Sequence, residues 1–240
     1  MKTIRCHQIN DDISTISLDE VDIAPPGAGE VQIRVMACSV NFPDVLMIQG
    51  KYQFAPPLPF APGGEFAGEI VAVGPDVDQF KVGDRAVAGT RYGGFSELVN
   101  AEVQAVKPVP PGISFEKAAA YQTAYLTAYV ALTIRGSLKA GETLLVHGAT
   151  GGVGLAAVDL GKHLGATVIA TGGTDEKLAV VKARGADHVI NYTLPDDSLG
   201  GFREKVKGLT DGLGADVVFD PVGGSVFDES MRCINWNGRI

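Results

Sequence analysis

Residues 143–154 read TLLVHGATGGVG, and the order of residue types in this stretch decides the fold. The first part, TLLVHG, is a continuous apolar run of the kind a strand shows when both its faces are buried. It passes directly into Ala149, Thr150, Gly151, Gly152, Val153 and Gly154. A helical pattern follows, with Val153, Ala157, Leu160 and Leu164 at i, i+4, i+7 and i+11, and Gly165 stops it. Strand, glycine turn and helix N-terminus in this order make a cradle for a pyrophosphate. Glycine at 151 admits a phosphate close to the backbone, Gly154 lets the helix approach the strand, and the first-turn N–H groups face the anion. Ala149 replaces the first glycine of the usual fingerprint, with Gly148 one position earlier. An isolated glycine motif is often an ordinary turn, but the flanking strand and helix make this one a dinucleotide site.

Downstream, the alternation continues. Strand TVIATG (167–172), helix DEKLAVVKARG (175–185), strand HVINY (188–192), an amphipathic segment carrying Phe202, Val206 and Leu209, and strand DVVFD (216–220) follow in turn. Strand–helix alternation of this length specifies a doubly wound parallel sheet. The full arrangement has six strands in the order 3-2-1-4-5-6. Four are expected here, with Arg239 and Ile240 opening a fifth after a turn at Asn237-Gly238. The cofactor domain is therefore expected to be incomplete, with DVVFD left as an exposed apolar edge prone to aggregation.

The end of the second strand selects the dinucleotide. An NAD site places a carboxylate about 20 residues past the loop to hold the ribose hydroxyls. Here stand Thr171, Gly172 and Gly173 instead. Asp175 comes later, as first-turn decoration of the next helix, and Lys177 is in reach of a 2′-phosphate. The expectation is NADP, with a solvated surface lysine as the plainer reading of Lys177.

Upstream, the texture changes. EVQIRVMACSV (30–40), EFAGEIVAVG (65–74), GDRAVAG (83–89) and FSELVNA (95–101) are short β-type runs set between Pro and Gly, and Ser114 can cap a helix that carries Glu116 in its first turn. The expected division is residues 1–123, a β-rich substrate domain, and residues 124–240, a partial dinucleotide domain.

Composition agrees. The chain has 20 Lys+Arg against 28 Asp+Glu, a net charge of −8 that argues against a nucleic-acid partner. Its 31 glycines are about 13% of residues against a usual ~7%, while 13 prolines are ordinary, so the excess marks tight turns. The first ten residues hold no apolar run and no stretch reaches membrane-span length. Three widely spaced cysteines, Cys6, Cys38 and Cys233, are no disulfide framework, and a cytosolic location is expected.

The motifs SVNFPDVLMIQGKY (39–52), APGGEFAGEIVAVG (61–74), VGDRAVA (82–88), AAAYQTAYLTAYVAL (118–132) and GETLLVHGATGGVG (141–154) resemble the medium-chain dehydrogenase/reductase superfamily, in particular its quinone oxidoreductase (zeta-crystallin-like) branch. Thr150 and Asp159 depart from the residues usual in the branch. The resemblance implies a GroES-like N-terminal domain, a Rossmann cofactor domain truncated at its C-terminus, and a homodimer in full-length form. By the same resemblance, Asn41 and Thr127 line the nicotinamide side, Tyr52 sits over the substrate cleft, Tyr192 packs near the adenine ribose, and residues 220–223, with Val222 and Gly223, pass beneath the nicotinamide ribose. Two plainer roles stay open: an i−4 backbone bond for Thr127 and simple packing for Tyr52.

The resemblance also bears on metal. Asn41 and Gly64 stand where zinc-dependent alcohol dehydrogenases of the superfamily have a cysteine and the histidine of a GHE motif. The three isolated cysteines cannot form a structural zinc site, and His7, His147, His163 and His188 have no ligand spacing and read as surface residues. No metal is expected. Without a Lewis acid, the feasible chemistry is hydride donation from NADPH to an acceptor that is already electrophilic, a quinone or an α,β-unsaturated carbonyl. An enoyl-thioester reductase is the alternative among enzymes, and an NADPH-binding protein without significant turnover the alternative outside them.

Overall fold

Successive side chains of the first strand of the α/β half leave it on opposite sides, and both sides are covered. Leu144 and Val146 enter one apolar cluster and Leu145 another, all with no exposed surface. This is why residues 143–146 show no polar alternation. The computed structural model describes residues 1–194 and 198–240. It divides the chain into two compact units, Met1–Thr123 and Ala124–Ile240.

In the first unit, β1 (Lys2–Arg5) and β2 (Ser17–Glu20) form an antiparallel pair. A five-stranded antiparallel sheet is built from β3 (Glu30–Cys38), β4 (Glu65–Val73), β5 (Arg85–Gly89), β6 (Leu98–Glu102) and β7 (Val106–Pro108), in the order β6-β3-β4-β5-β7. Its core gathers Val31, Ile33, Phe66, Ile70, Ala86 and Ala88. Two short helices belong here, α1 (Phe42–Ile48) and α2 (Phe115–Ala119). As the sequence suggests, Ser114 caps α2, accepting from the Lys117 N–H at 3.3 Å.

The chain enters the second unit through wide π-helical turns, Gln122–Leu126 and Val130–Arg135, on either side of α3 (Thr127–Tyr129). The strands β8 (Thr143–Val146), β9 (Thr167–Gly172), β10 (His188–Asn191), β11 (Ala215–Phe219) and β12 (Ile234–Arg239) pair in parallel in the order β10-β9-β8-β11-β12. That is 3-2-1-4-5, the first five positions of the doubly wound sheet. Helices α4 (Gly152–His163), α5 (Asp175–Ala183), α6 (Arg203–Leu209) and α7 (Ser225–Ser230) connect them. On α4, glycines 154 and 161 lie two turns apart on one face, and a Cβ at Gly161 would stand 2.6 Å from Leu144 Cδ2. Two missing side chains thus bring the helix down onto the sheet. Among the described residues, no helix is long and apolar enough to cross a membrane.

One expectation is corrected. The fifth strand is formed, and DVVFD is not an open edge: β12 pairs with β11 through Ala215↔Ile234 and Val217↔Arg239. It escaped the periodicity because INWNGR has no alternation: Asn237 is at φ +63°, and the register shifts between its two pairings. Polar side chains fix it instead. Asn235 Nδ2 donates to Asp216 Oδ1 at 2.7 Å, and Arg239 grips Glu142 with two bonds of 2.6 and 3.0 Å. The outer edge carries Trp236, which is 90% exposed.

Candidate active site: a backbone cradle and a polar cavity

At the C-terminal end of β8 the chain reverses at Gly148, φ +56°, and Gly151 N–H closes the turn on Gly148 O at 3.0 Å. The loop is tight inside and open outside. A Cβ on Gly154 would lie 2.3 Å from Gly148 O and 2.8 Å from Ala149 Cα, backbone atoms that cannot move aside. A Cβ on Gly152 would meet nothing within 4 Å. Ala149 is fully buried, whereas Gly151 and Gly152 are exposed and Val153 is half-buried. Since α4 begins at Gly152, its first N–H groups lack intrahelical acceptors and point out of this open face with the positive end of the helix dipole. Gly172, ending β9, leaves the space where Thr150 lies; a Cβ there would come within 2.8 Å of Thr150 Cγ2. The residues present fit a dinucleotide phosphate, because the backbone itself forms the concave surface.

Beneath the loop is a polar cluster that sequence reading missed. His147 is not a surface residue but wholly buried, with its ring 4.8 Å from that of Phe202. Its tautomer follows from its partners. Ser230 Oγ donates to Val226 O at 2.7 Å, so it accepts from His147 Nε2–H at 2.8 Å. Nδ1 of the neutral ring then accepts from the Thr171 hydroxyl, also at 2.8 Å. Burial holds the imidazole pKa down at about 4, against an opposing pull from Asp220. The other three histidines are exposed.

Tyr192 is 7% exposed and packs in the same cluster of side chains. Burial pushes its phenol up, helped by Asp220 and opposed by a backbone hydrogen bond from Gly148. Asp220 Oδ1 accepts from the N–H groups of Val222 and Gly223 at 2.9 and 3.0 Å, holding that turn against Gly148. Asp220 Oδ2 is buried without a hydrogen-bond partner among the described residues. Beyond β9, Thr174 caps α5, and Asp175 Oδ1 accepts from Asn191 Nδ2 at 3.0 Å. Lys177 is exposed in the first turn of α5. Thr127 is exposed on α3, and one turn on the Thr133 hydroxyl donates to Tyr129 O at 2.6 Å.

The first unit holds a cavity of ≈ 550 Å³ whose lining includes Asn41, Asp44, Tyr52, Gly64, Arg91 and Thr123. It brings Asn41 and Tyr52 together with Gly64, which faces it with no side chain. Asn41 precedes α1 and is clamped at its backbone: its N–H donates to Asp44 Oδ2 at 2.8 Å, while Oδ1 of the same carboxylate takes the N–H of Gly63 at 3.0 Å. Asp44 is 2% exposed and went unnoticed in the sequence, although Asn41-Phe42-Pro43-Asp44 has the spacing of a capping box with proline in the first turn. Tyr52 is half-buried against a cluster that includes Met47, Ile48 and Phe60, so it both packs and lines the cavity. The Arg91 guanidinium stands 4.8 Å above the ring of Phe54. Cys38 donates its thiol to Glu65 O at 3.1 Å and is pushed up to about 12 by burial and then by Asp44.

Comparison with known proteins follows this two-part plan. Residues 27–111 match the family model of the alcohol dehydrogenase GroES-like domain, and residues 152–240 that of the zinc-binding dehydrogenase. The chain is 39% identical over 226 residues to quinone oxidoreductase-like protein 2 of Mus musculus, an alignment covering 94% of this chain and 63% of that one. The chain thus spans a little under two thirds of that relative's length. Among solved structures, Escherichia coli quinone oxidoreductase complexed with NADPH superposes with a TM-score of 0.90 at 34% identity, covering 99% of this chain and 71% of the other. CurK enoyl reductase superposes at 0.87 and 30% identity, covering 99% and 72%. With both halves matched in order and nearly the whole chain superposed, the protein belongs to the medium-chain dehydrogenase/reductase superfamily, in its quinone oxidoreductase branch.

Proposed function

We propose that this protein is an NADPH-dependent reductase that delivers hydride to quinones or α,β-unsaturated carbonyl compounds without zinc. The observation that carries the reading is that Asn41 and Gly64 share the wall of one cavity, since by the resemblance these are the positions that hold metal ligands in zinc-dependent members of the superfamily. An amide and a bare backbone make a poor zinc site, but they suit an acceptor that needs positioning and one or two hydrogen bonds. NADPH, when bound, supplies the hydride. The chain's own residues do the rest. Glycines 151 and 152 and the start of α4 take the pyrophosphate. Lys177 supplies a charge for the 2′-phosphate, while Asn41 and Tyr52 orient the acceptor. Gly172, Tyr192, Val222 and Gly223 shape the cradle, and Thr127 joins the site from α3.

Initial rates of NADPH oxidation against a quinone, an enone and an enoyl-CoA, with the protein at full length, test this. The expected result is turnover with the first two that survives chelation, with well under one zinc per chain by elemental analysis. About one zinc per chain, lost together with activity, would overturn it. The enoyl-thioester reading has an observation of its own: Arg91 puts a cation in the cavity wall of an acidic protein, where a phosphate-bearing carrier could meet it. Faster turnover of the enoyl-CoA would favour it. No turnover with any of the three would leave a binding protein.

A further inference from the structure

The last residue of β3 is Cys38, and the antiparallel ladder runs one step beyond it: Ser39 N–H donates to Glu65 O at 3.1 Å. This places the Ser39 side chain beside that of Glu65, which is 1% exposed. Glu65 is fully engaged. Oε1 accepts from the Gln122 N–H, and Oε2 from the Thr123 N–H at 3.1 Å and the Ser39 hydroxyl at 3.2 Å. Gln122 and Thr123 open a helical turn, where N–H groups have no acceptor within the helix, so the carboxylate serves as their cap. Next in line, Asn41 Nδ2 donates to Ser39 Oγ at 2.9 Å.

The direction of this chain is forced. A carboxylate accepts only, and a serine hydroxyl has one hydrogen. With that hydrogen committed to Glu65, Ser39 can only accept from its other neighbour. A flipped Asn41 amide would set its carbonyl against the Ser39 oxygen with no hydrogen between them. Glu65 thus dictates Ser39, and Ser39 dictates which end of the Asn41 amide is tied down and which end is left to the cavity.

We propose that Ser39 and Glu65 are positioning residues that lock the Asn41 side-chain amide in one orientation, so that the cavity presents a single hydrogen-bonding pattern to the acceptor. The proposal rests on the reading of Asn41 under the proposed function and adds two residues to it. Neither touches the acceptor; both act through Asn41.

A double-mutant cycle on Ser39→Ala and Asn41→Ala tests this, read as kcat and KM for a quinone, with thermal melts as a control on folding. Ser39→Ala alone is expected to lower kcat up to ~10-fold, the scale of one net hydrogen bond, with KM for NADPH unchanged. In the Asn41→Ala background it is expected to do nothing more. Multiplicative losses, or no loss from Ser39→Ala, would overturn the lock. A readout independent of turnover is the NMR signal of the Asn41 side-chain amide, assigned by its disappearance in Asn41→Ala. Its protons should exchange slowly in the native protein and fast in Ser39→Ala, and equal exchange in both would also overturn the lock. Glu65→Ala gives a second variant. It leaves the Ser39 hydrogen without its acceptor, so in a folded E65A protein the Asn41 amide should exchange fast and kcat should fall as in Ser39→Ala; slow exchange with full activity would count against the relay. Failure of the functional reading looks different: Asn41→Ala then leaves turnover intact, or there is no turnover, while the amide exchange still reports on the lock.

Discussion

The glycine cradle around residues 148–154 is made almost wholly of backbone, whereas the cavity around Asn41 is lined by residues as far apart as 41, 91 and 123, with Ser39 and Glu65 behind Asn41. The cradle works by what is absent: no Cβ at Gly154 lets the helix come down, and none at Gly152 keeps the outer face open. The cavity works by what is present, a set of polar groups each holding the next. A backbone device tolerates almost no change at its tight positions and much at its open ones. A relay of side chains degrades stepwise, link by link. The predictions separate these behaviours.

The sharpest contrast lies inside the cradle. Gly154→Ala drives a methyl into Gly148 O and Ala149 Cα, and is expected to cost at least about 1–3 kcal/mol of stability and to abolish NADPH binding. Gly152→Ala, whose methyl meets nothing, should leave the melting temperature nearly unchanged. Equal destabilisation by the two would break the account of the loop.

His147 tests whether the cradle depends on the packing beneath it. Its folded pKa, about 4, lies below the unfolded value of 6.5, so between those pH values the unfolded chain binds the extra proton. The stability of the neutral, buried ring is full above pH 6.5 and is lost as pH falls towards 4, a loss of about 3 kcal/mol at most. His147→Gln should flatten the denaturant-measured stability profile in that window while lowering the plateau at pH 7. A profile of unchanged slope would show that other groups govern the acid limb.

Lys177 asks whether one exposed side chain adds selectivity to a backbone site. Lys177→Ala should weaken NADPH about 10- to 150-fold, the equivalent of ~1.5–3 kcal/mol for a charge-assisted bond, and leave NADH nearly untouched. Parallel shifts in the two dissociation constants at fixed ionic strength would remove the assignment and return attention to Asp175.

The smallest effect concerns the thiols. Cys38 and Cys233 are pushed up to about 12 and 11, chiefly by burial, and Cys6 is raised for the same reason. At pH 8 all three should react far more slowly with a disulfide reagent in the native protein than after unfolding. Rapid modification of Cys38 with loss of activity would show the end of β3 to be more open than the thiol's hydrogen bond to Glu65 O implies.

How much of this could be read beforehand follows from the physics of each part. The strand, loop and helix at 143–163 were legible because their determinants are local: an apolar run, glycines at fixed offsets, and a 3.6-residue period. Strand β12 was not, because INWNGR is held by Asp216 and Glu142, partners that become neighbours only when the sheet forms. His147 was misread for a related reason. A histidine at the end of an apolar strand carries no local mark of burial, and its acceptor Ser230 lies 83 residues away. Asn41 and Tyr52 entered through resemblance, which names residues but not their partners.

The sequence by itself determined the two-part plan, the doubly wound topology and the place of the glycine loop between β8 and α4, since these rest on periodicity and on glycines whose effect is felt within a turn or two. Only the tertiary structure decided which polar groups meet: that Glu65 faces Ser39, that Ser39 faces Asn41, and that His147 is neutral with its proton on Nε2. Hydrogen-bond direction is a property of pairs, and the pairs here are joined by sheet register and helix packing rather than by adjacency along the chain.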